Sequence, residues 1–192
     1  RQDYIMVFVQ GYEKSWNIVS ERSKAPDREF IESIVTDLIG YSNVKSGGVV
    51  LMGSSNGAAL VNQIAIETKL GYFSHYITLV SQLNSWQHDG SDFKAKGNQN
   101  NYNKSIIPLK GKFLMNISGG NDKLVPYAGG PSTGIRAKDG KLNFLDAERS
   151  TFLWARHYGY TGKQLALPTE VSPAFDTYSY MDGAVVLSLI HI

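Results

Sequence analysis

A serine between small residues is the feature of this chain whose type and spacing best fit catalysis. Gly53-Ser54-Ser55-Asn56-Gly57 matches the pattern G-x-S-x-G, in which the central serine is a nucleophile on a sharp, strained turn. The backbone N–H of Asn56 then lies at a helix N-terminus, where it can donate to a developing oxyanion. The alternative is an ordinary Gly/Ser turn, because composition alone yields the pattern in roughly one such chain in five.

A serine nucleophile needs a base, and the base needs an acid that orients it. With this motif the acid follows the serine along the chain and the histidine comes last. Asp122 comes just after the apolar run 113–117, at the strand end where open α/β sheets form their sites. Its alternative role is that of a turn aspartate in a Gly-rich loop. Three rival acids do not directly follow a predicted strand: Asp139, Asp146 and Asp176.

Three of the four histidines favour structural roles. His75 precedes a predicted strand, and we expect it to be partly buried. His88 stands near Asp89 and Asp92, which together would make only a weak metal site; a solvated loop is the favoured interpretation because fixed ligand spacing is missing. His157 ends a predicted helix, where a cation interacts favourably with the helix dipole.

Alternating strands and helices must position these groups. Apolar runs predict strands at 4–9, 48–52, 76–80 and 113–117, with a last strand starting at 184. Apolar residues at helical spacing predict helices from 27 to about 39, over 56–68 and over 145–158, and the second is apolar nearly all round and therefore buried. This order predicts a parallel α/β sheet.

Composition excludes several classes of protein. The 192 residues favour one domain, and a net charge of +2 is too small to indicate nucleic acid as a partner. The absence of cysteine excludes a disulfide scaffold, a cysteine nucleophile and thiolate zinc sites. No apolar run is long enough for a membrane span. We expect no cofactor and no metal.

Several motifs follow one another in a familiar order. They are Val9-Gln10-Gly11 with Trp16-Asn17, Asp27 with Phe30-Ile31, the turn at 53–58, Asp122 with Val125-Pro126-Tyr127 and Gly129-Gly130, and Trp154 with His157-Tyr158-Gly159. Together they resemble the poly(3-hydroxybutyrate) depolymerase and feruloyl esterase group of α/β-hydrolases, over most of residues 4–186.

The resemblance implies an α/β-hydrolase fold and a secreted or periplasmic serine esterase acting on polyesters or on acyl groups of plant polysaccharides. It also implies parts that this sequence lacks. The family's second oxyanion donor would precede Arg1, the cysteine expected near Tyr160 is absent, and the base histidine should occupy a loop after the last strand.

His191 is last in order, but no turn separates it from the strand-like run 187–192. Those six residues resemble the translation of a transposon-end adapter, so we interpret them as a non-native tail. We therefore expect residues 1–186 to be a partial catalytic domain, incomplete at both ends, whose base histidine is missing.

Two functions fit these observations. The first is a serine ester hydrolase that forms an acyl-enzyme on Ser55, nearly inactive without its histidine. The second is a non-catalytic α/β-hydrolase-like module that binds carbohydrate or polymer through exposed aromatics such as Trp86, Tyr102 or Tyr127. The polar insert 84–112 is equally compatible with a lid and with a solvated loop.

Overall fold

The backbone forms three α-helices and ten strands within the part of the chain that the computed structural model describes, residues 4–181 and 185–190. The helices are α1 (Asp27–Leu38), α2 (Asn56–Glu67) and α3 (Ala147–Tyr158). The strands are β1 (Val49–Ser54), β2 (Phe73–Leu79), β3 (Lys94–Ala95), β4 (Lys104–Ser105), β5 (Phe113–Gly119), β6 (Gly130–Ala137), β7 (Gly140–Phe144), β8 (Glu170–Val171), β9 (Asp176–Tyr180) and β10 (Val185–Ile190).

The main sheet contains six strands in the order β1-β2-β5-β10-β9-β8. Strands β1, β2, β5 and β10 are parallel, and β9 and β8 extend the sheet in antiparallel fashion. The predicted α/β class with a mostly parallel sheet is therefore confirmed. The carboxyl ends of β1, β2 and β5 share one edge of the sheet, which is the edge where Ser55 and Asp122 follow their strands.

The two faces of this sheet differ in burial. The strand register places Leu51, Tyr76 and Leu114 side by side on one face, and Met52, Ile77 and Met115 on the other. Tyr76 is 1% exposed, whereas Met52 is 61% exposed. Helix α2 is buried over most of its length, as its apolar sequence predicts, and it packs on β1 and β2 on the Tyr76 side. The Met52 face is open to solvent.

The apolar segment Tyr4–Val9 does not form the predicted strand, so that prediction is wrong. Tyr4 is 82% exposed and Phe8 is 87% exposed. A strand requires a partner for its backbone N–H and C=O groups, and this segment belongs to none of the sheets. The apolar composition of this segment indicates β-propensity, but it does not specify which strand the segment would pair with.

The sequence patterns missed antiparallel pairing in three places. Strands β3 and β4 pair within the polar insert, from Lys94↔Ser105 to Ala95↔Lys104. Strands β6 and β7 form a hairpin in and beyond the predicted Gly/Pro-rich loop 119–134. Its turn at 138–139 is followed by Gly140 at φ 129°, and Asp139-Gly140 is a recognisable hairpin signal. Strands β8 and β9 form the third pair, and the alternating burial of Tyr178 and Tyr180 is the period-2 pattern of a half-buried strand.

The polar insert 84–112 packs against the domain. Gln87 Nε2 donates to Ala59 O over 2.8 Å, and Tyr102 Oη donates to Ile18 O over 2.8 Å. Asn84 and Asn100 are also buried. The insert is therefore joined to helix α2 and to the loop that follows Trp16.

At the other end of the chain, strand β10 includes four residues of the segment interpreted as an adapter-derived tail. Its backbone pairs with β5 from Val185↔Leu114 to Ile190↔Gly119. Apolar residues of high β-propensity pair in this way whatever their origin, so that interpretation stays a prediction. Among the described residues, no helix combines the length and the apolar character required to cross a membrane.

Candidate active site

Ser55 occupies a strained turn between β1 and α2. Its backbone has φ 53° and ψ −118°, a conformation that residues other than glycine rarely adopt. Ser55 N donates to Leu79 O on β2 over 2.9 Å, and Ser55 O accepts from Ala59 N in α2 over 3.1 Å. The side chain is exposed and does not cap the helix. The turn therefore presents Oγ to solvent at the end of the sheet.

The small residues around Ser55 have unequal roles. A Cβ on Gly53 would overlap the carbonyl oxygen of Gly57 and would lie 2.8 Å from Ala58 N, so only glycine allows the strand and helix to approach this closely. A Cβ on Gly57 would meet nothing nearer than Trp16 Nε1, at 3.5 Å. The motif's first glycine is thus a steric necessity, whereas its last glycine is not.

The N–H of Asn56 begins helix α2. The first N–H groups of a helix have no acceptor within it, and none of the described residues accepts from Asn56 N. The helix N-terminus also carries a partial positive charge. Asn56 N–H is consequently a free donor next to Ser55.

The Asn56 side chain has a second role that the sequence did not indicate. Asn56 Oδ1 accepts from Trp16 N over 2.7 Å, and Asn56 Nδ2 donates to Trp16 O over 3.0 Å. Asn56 Nδ2 also donates to Glu21 Oε1 over 3.1 Å, while Glu21 Oε2 accepts from the backbone N–H groups of Ile18 (2.9 Å) and Val19 (2.6 Å). Glu21 and Asn56 together fix the loop 16–21 against the serine turn.

Charged groups that are buried or half-buried also support this loop. Asp27 Oδ2 accepts from Asn17 N over 2.6 Å, and Lys96 Nζ donates to Asn17 O over 3.0 Å. Glu67 Oε1 accepts from Lys96 N over 2.6 Å, and Glu67 Oε2 lies 3.3 Å from Arg28 Nε. Burial raises the pKa of Asp27 and of Glu67 and lowers the pKa of Lys96. These groups anchor the loop and α1 to the polar insert.

Asp122 begins the loop after β5, at the same sheet edge as Ser55. Its Oδ1 accepts from Leu124 N over 2.8 Å and from Val125 N over 3.0 Å, and the side chain is half-buried. Val125 lines a cavity that also contacts Ser55. The Asp122 turn therefore borders the serine site without a direct hydrogen bond between the two side chains.

Two of the three rival acids belong to other elements. Asp146 caps helix α3, where its Oδ1 accepts from Arg149 N over 2.8 Å, and Asp139 is exposed in the turn of the β6–β7 hairpin. Asp176 begins β9, and the strand register places it at the same sheet edge as the end of β5. Neither Asp122 nor any rival lines a cavity at Ser55 itself. Asp122 follows β5, two strands from β1, whereas Asp176 lies four strands from β1.

The three described histidines do not contact Ser55 or Asp122. His75 is exposed rather than partly buried, because it faces the open side of the sheet and stacks on Phe113 at 4.6 Å. His157 Nε2 lies 3.0 Å from Pro108 O, in a ring cluster with Trp154. His191 lies outside the described residues.

His88 is 2% exposed, so the expectation of a solvated loop is wrong at this position. Its Nδ1 accepts from Gly90 N over 3.0 Å, and its ring packs edge-on against Phe93 at 4.7 Å. Burial lowers the pKa of His88 and of His157. The neighbouring Asp89 lies 2.7 Å from Lys94 Nζ. Among the described residues, no group of three or more His, Cys, Asp or Glu side chains is placed to hold a metal ion.

Two cavities meet at Ser55. The open cavity has a volume of about 510 Å³, and its lining includes Gly11, Lys14, Trp16 and Ser54. The apolar cavity has a volume of about 270 Å³ and is walled by Ile18, Val19, Ala59, Val125, Ile135, Leu142 and Phe144. Ser55 and Asn56 line both. No residue of the polar insert 84–112 lines either cavity.

The aromatic residues expected to form a polymer-binding surface are not displayed together. Tyr102 is buried, so its predicted exposure is wrong, and Trp86 and Tyr127 are half-buried. Tyr102 packs at 5.9 Å from the Trp86 ring beside the loop 16–21.

The described part of the chain thus combines a strained serine, a free helix-terminal donor, an acid at the same sheet edge and two adjoining cavities. Comparison with protein-family models, with curated proteins and with solved structures found no match to this chain.

Proposed function

We propose that the chain is a serine ester hydrolase with an α/β-hydrolase arrangement. The observation that supports this most strongly is the backbone of Ser55 at φ 53°, held in a turn from which Oγ faces two cavities. Such strain destabilises a fold by about 1–3 kcal/mol and is typical of functional sites. Positive φ alone does not set Ser55 apart, because seven other described residues that are not glycine share it. Its ψ of −118° does, since Glu13 and Gln99 have ψ 29° and 24°, inside the left-handed helical region.

In the proposed reaction, Ser55 Oγ forms a bond to the ester carbonyl carbon while its proton passes to a base. Asn56 N–H donates to the resulting oxyanion. The bond to the alcohol oxygen then breaks, the alcohol leaves with the proton, and water hydrolyses the acyl-serine. Asp122 orients the base, which we assign to a histidine after the last strand, as the resemblance implies.

Partial activity is expected even without that histidine. When one member of a catalytic triad is missing, the oxyanion donor and substrate binding still accelerate the reaction by roughly 10³-fold over water. Slow acylation of Ser55 by an activated ester is therefore expected whether or not a histidine assists it.

The test compares two exposed serines. Hydrolysis of p-nitrophenyl acetate is measured for the unmodified chain, for Ser55→Ala and for Ser33→Ala, whose residue is exposed on helix α1 and lines neither cavity. We expect Ser55→Ala to lower the protein-dependent rate at least about tenfold and Ser33→Ala to leave it within about twofold. Equal rates in the two variants would overturn the proposal.

A further inference from the structure

The apolar cavity beside Ser55 is built from four separate parts of the chain. Ile18 and Val19 come from the loop 16–21, Ala59 from the first turn of α2, and Val125 from the Asp122 loop. The β6–β7 hairpin supplies the remaining wall through Ile135, Leu142 and Phe144. Groups that converge on one volume beside a nucleophile form a binding site for part of its substrate.

Resting on the proposed function, we propose that this cavity binds the acyl group of the ester and accepts only uncharged acyl groups of limited length, with the β6–β7 hairpin setting that limit. The open cavity on the other side of Ser55 then receives the alcohol portion. The assignment follows from the contrast between an apolar wall on one side and Lys14, Gln10 and Ser54 on the other.

The volume of the apolar cavity sets the length limit. Water occupies about 30 Å³ per molecule in the liquid, so about 270 Å³ corresponds to about nine non-hydrogen atoms. A hexanoyl group fits within this space. A dodecanoyl group exceeds this space.

The charge of the lining sets the second limit. Glu21 is the one charged residue that lines the apolar cavity, and no Lys, Arg or His among the described residues does so. The carboxylate of Glu21 already accepts from Ile18 N, Val19 N and Asn56 Nδ2. A carboxylate on the acyl group would have no cation to pair with in this cavity, and Glu21 would repel it.

Hydrogen bonds join the chain segments that line the apolar cavity, so the length limit depends on how the fold holds these segments together. Ser20 Oγ donates to Arg136 O over 2.6 Å and so joins the loop 16–21 to strand β6. Ser132 Oγ accepts from Gly134 N (3.2 Å) and Ile135 N (2.9 Å), which fixes the irregular part of β6 that carries Ile135. The hairpin is therefore joined by a hydrogen bond to the loop that Asn56 and Glu21 hold against the serine turn.

Two arms test the proposal. In the first, the full chain hydrolyses p-nitrophenyl esters from acetate to dodecanoate, and we expect kcat/KM to fall at least about tenfold beyond eight or nine carbons. Ile135→Trp fills the cavity from a half-buried position, so it should lower the ratio of kcat/KM for hexanoate to kcat/KM for acetate by about tenfold. Asn143→Ala, on the outward side of β7, is the matched control and should leave the length profile unchanged.

The second arm measures binding without turnover. Ser55→Ala is titrated with methyl hexanoate and with monomethyl adipate, which carries a carboxylate at the end of an acyl chain of the same length. Methyl NMR signals of Ile135 and Leu142 report occupancy. We expect methyl hexanoate to shift these signals and monomethyl adipate to bind at least about tenfold more weakly.

The two arms separate the possible failures. Ser55-dependent turnover with an unchanged length profile in Ile135→Trp would overturn the acyl-site assignment and leave the esterase proposal intact. Selective binding of methyl hexanoate without Ser55-dependent turnover would overturn the esterase and keep the cavity as a site for neutral apolar chains. Equal binding of the two methyl esters would overturn the charge limit.

Discussion

The contribution of Glu21 to the free energy of unfolding can be estimated from its contacts. Its carboxylate accepts from the backbone N–H groups of Ile18 and Val19 and from Asn56 Nδ2. Ile18 and Val19 are 1% and 3% exposed, so their N–H groups are shielded from bulk water. A buried donor left without an acceptor destabilises a fold by about 1–3 kcal/mol, and two such donors give about 2–6 kcal/mol. Glu21→Ala should therefore lower the free energy of unfolding by about that amount.

The substitution Glu21→Gln removes the charge of the side chain and keeps its shape. The amide has one acceptor oxygen, so when that oxygen accepts from the loop N–H groups, the NH2 group faces Asn56 Nδ2, donor against donor. We expect a loss of about 1–2 kcal/mol, intermediate between the native chain and Glu21→Ala. Both variants should also slow acylation of Ser55, because Asn56 is the first residue of α2 and its side chain loses one partner.

The assay is urea unfolding followed by tryptophan fluorescence, with Glu170→Ala as the control. Glu170 is exposed on β8, at the far edge of the sheet. A surface substitution of this kind should change the free energy of unfolding by no more than about 0.5 kcal/mol. If Glu21→Ala were as stable as Glu170→Ala, the account of the loop would be refuted.

Three further predictions concern the serine turn and the buried histidine. Gly53→Ala should lower the free energy of unfolding by at least about 3 kcal/mol, because the added Cβ overlaps the Gly57 carbonyl. Gly57→Ala should be neutral or stabilising by up to about 1 kcal/mol. Similar urea midpoints for the two variants would contradict this. Ser55→Gly should be about 1 kcal/mol more stable than Ser55→Ala, because relief of the positive φ, about 1–3 kcal/mol, exceeds the added unfolded-state entropy of glycine, about 0.4–1 kcal/mol; a less stable Ser55→Gly would show that the turn is unstrained. Burial lowers the pKa of His88 in the folded state. The stability contributed by the neutral His88 side chain is therefore fully present above the unfolded pKa, about 6.5, and it is lost as the pH falls toward the folded pKa. His88→Asn keeps an acceptor for Gly90 N, so its unfolding free energy should fall less steeply than that of the native chain between pH 7 and 5, and parallel curves would contradict the assignment.

The parts of the fold that the sequence predicts are those in which local pattern and burial agree. Helix α2 is apolar nearly all round, and the fold buries it on the strands that flank it. The turn at Ser55 is equally local, because glycine spacing and the change from strand to helix define it within a few residues. Asp122 was predicted from chain order and from its position after a strand, and the topology brings it to the same sheet edge.

The parts that were missed depend on contacts distant in sequence. Tyr4–Val9 has the composition of a strand, but pairing requires a neighbour that composition does not specify. The role of Glu21 depends on Asn56, 35 positions away, and no local pattern joins a glutamate in a polar loop to a helix start. The β6–β7 hairpin had a usable signal in Asp139-Gly140, which was obscured by the glycines and prolines around it.

The most direct measurement of the central claim is the site of acylation. The chain, Ser54→Ala and Ser55→Ala are incubated briefly with p-nitrophenyl hexanoate, quenched in acid and mapped by peptide mass spectrometry. The account predicts one hexanoyl group on Ser55 in the first two proteins and none in the peptide 53–58 of Ser55→Ala. Hexanoyl groups confined to lysines, with the same pattern in all three proteins, would contradict it.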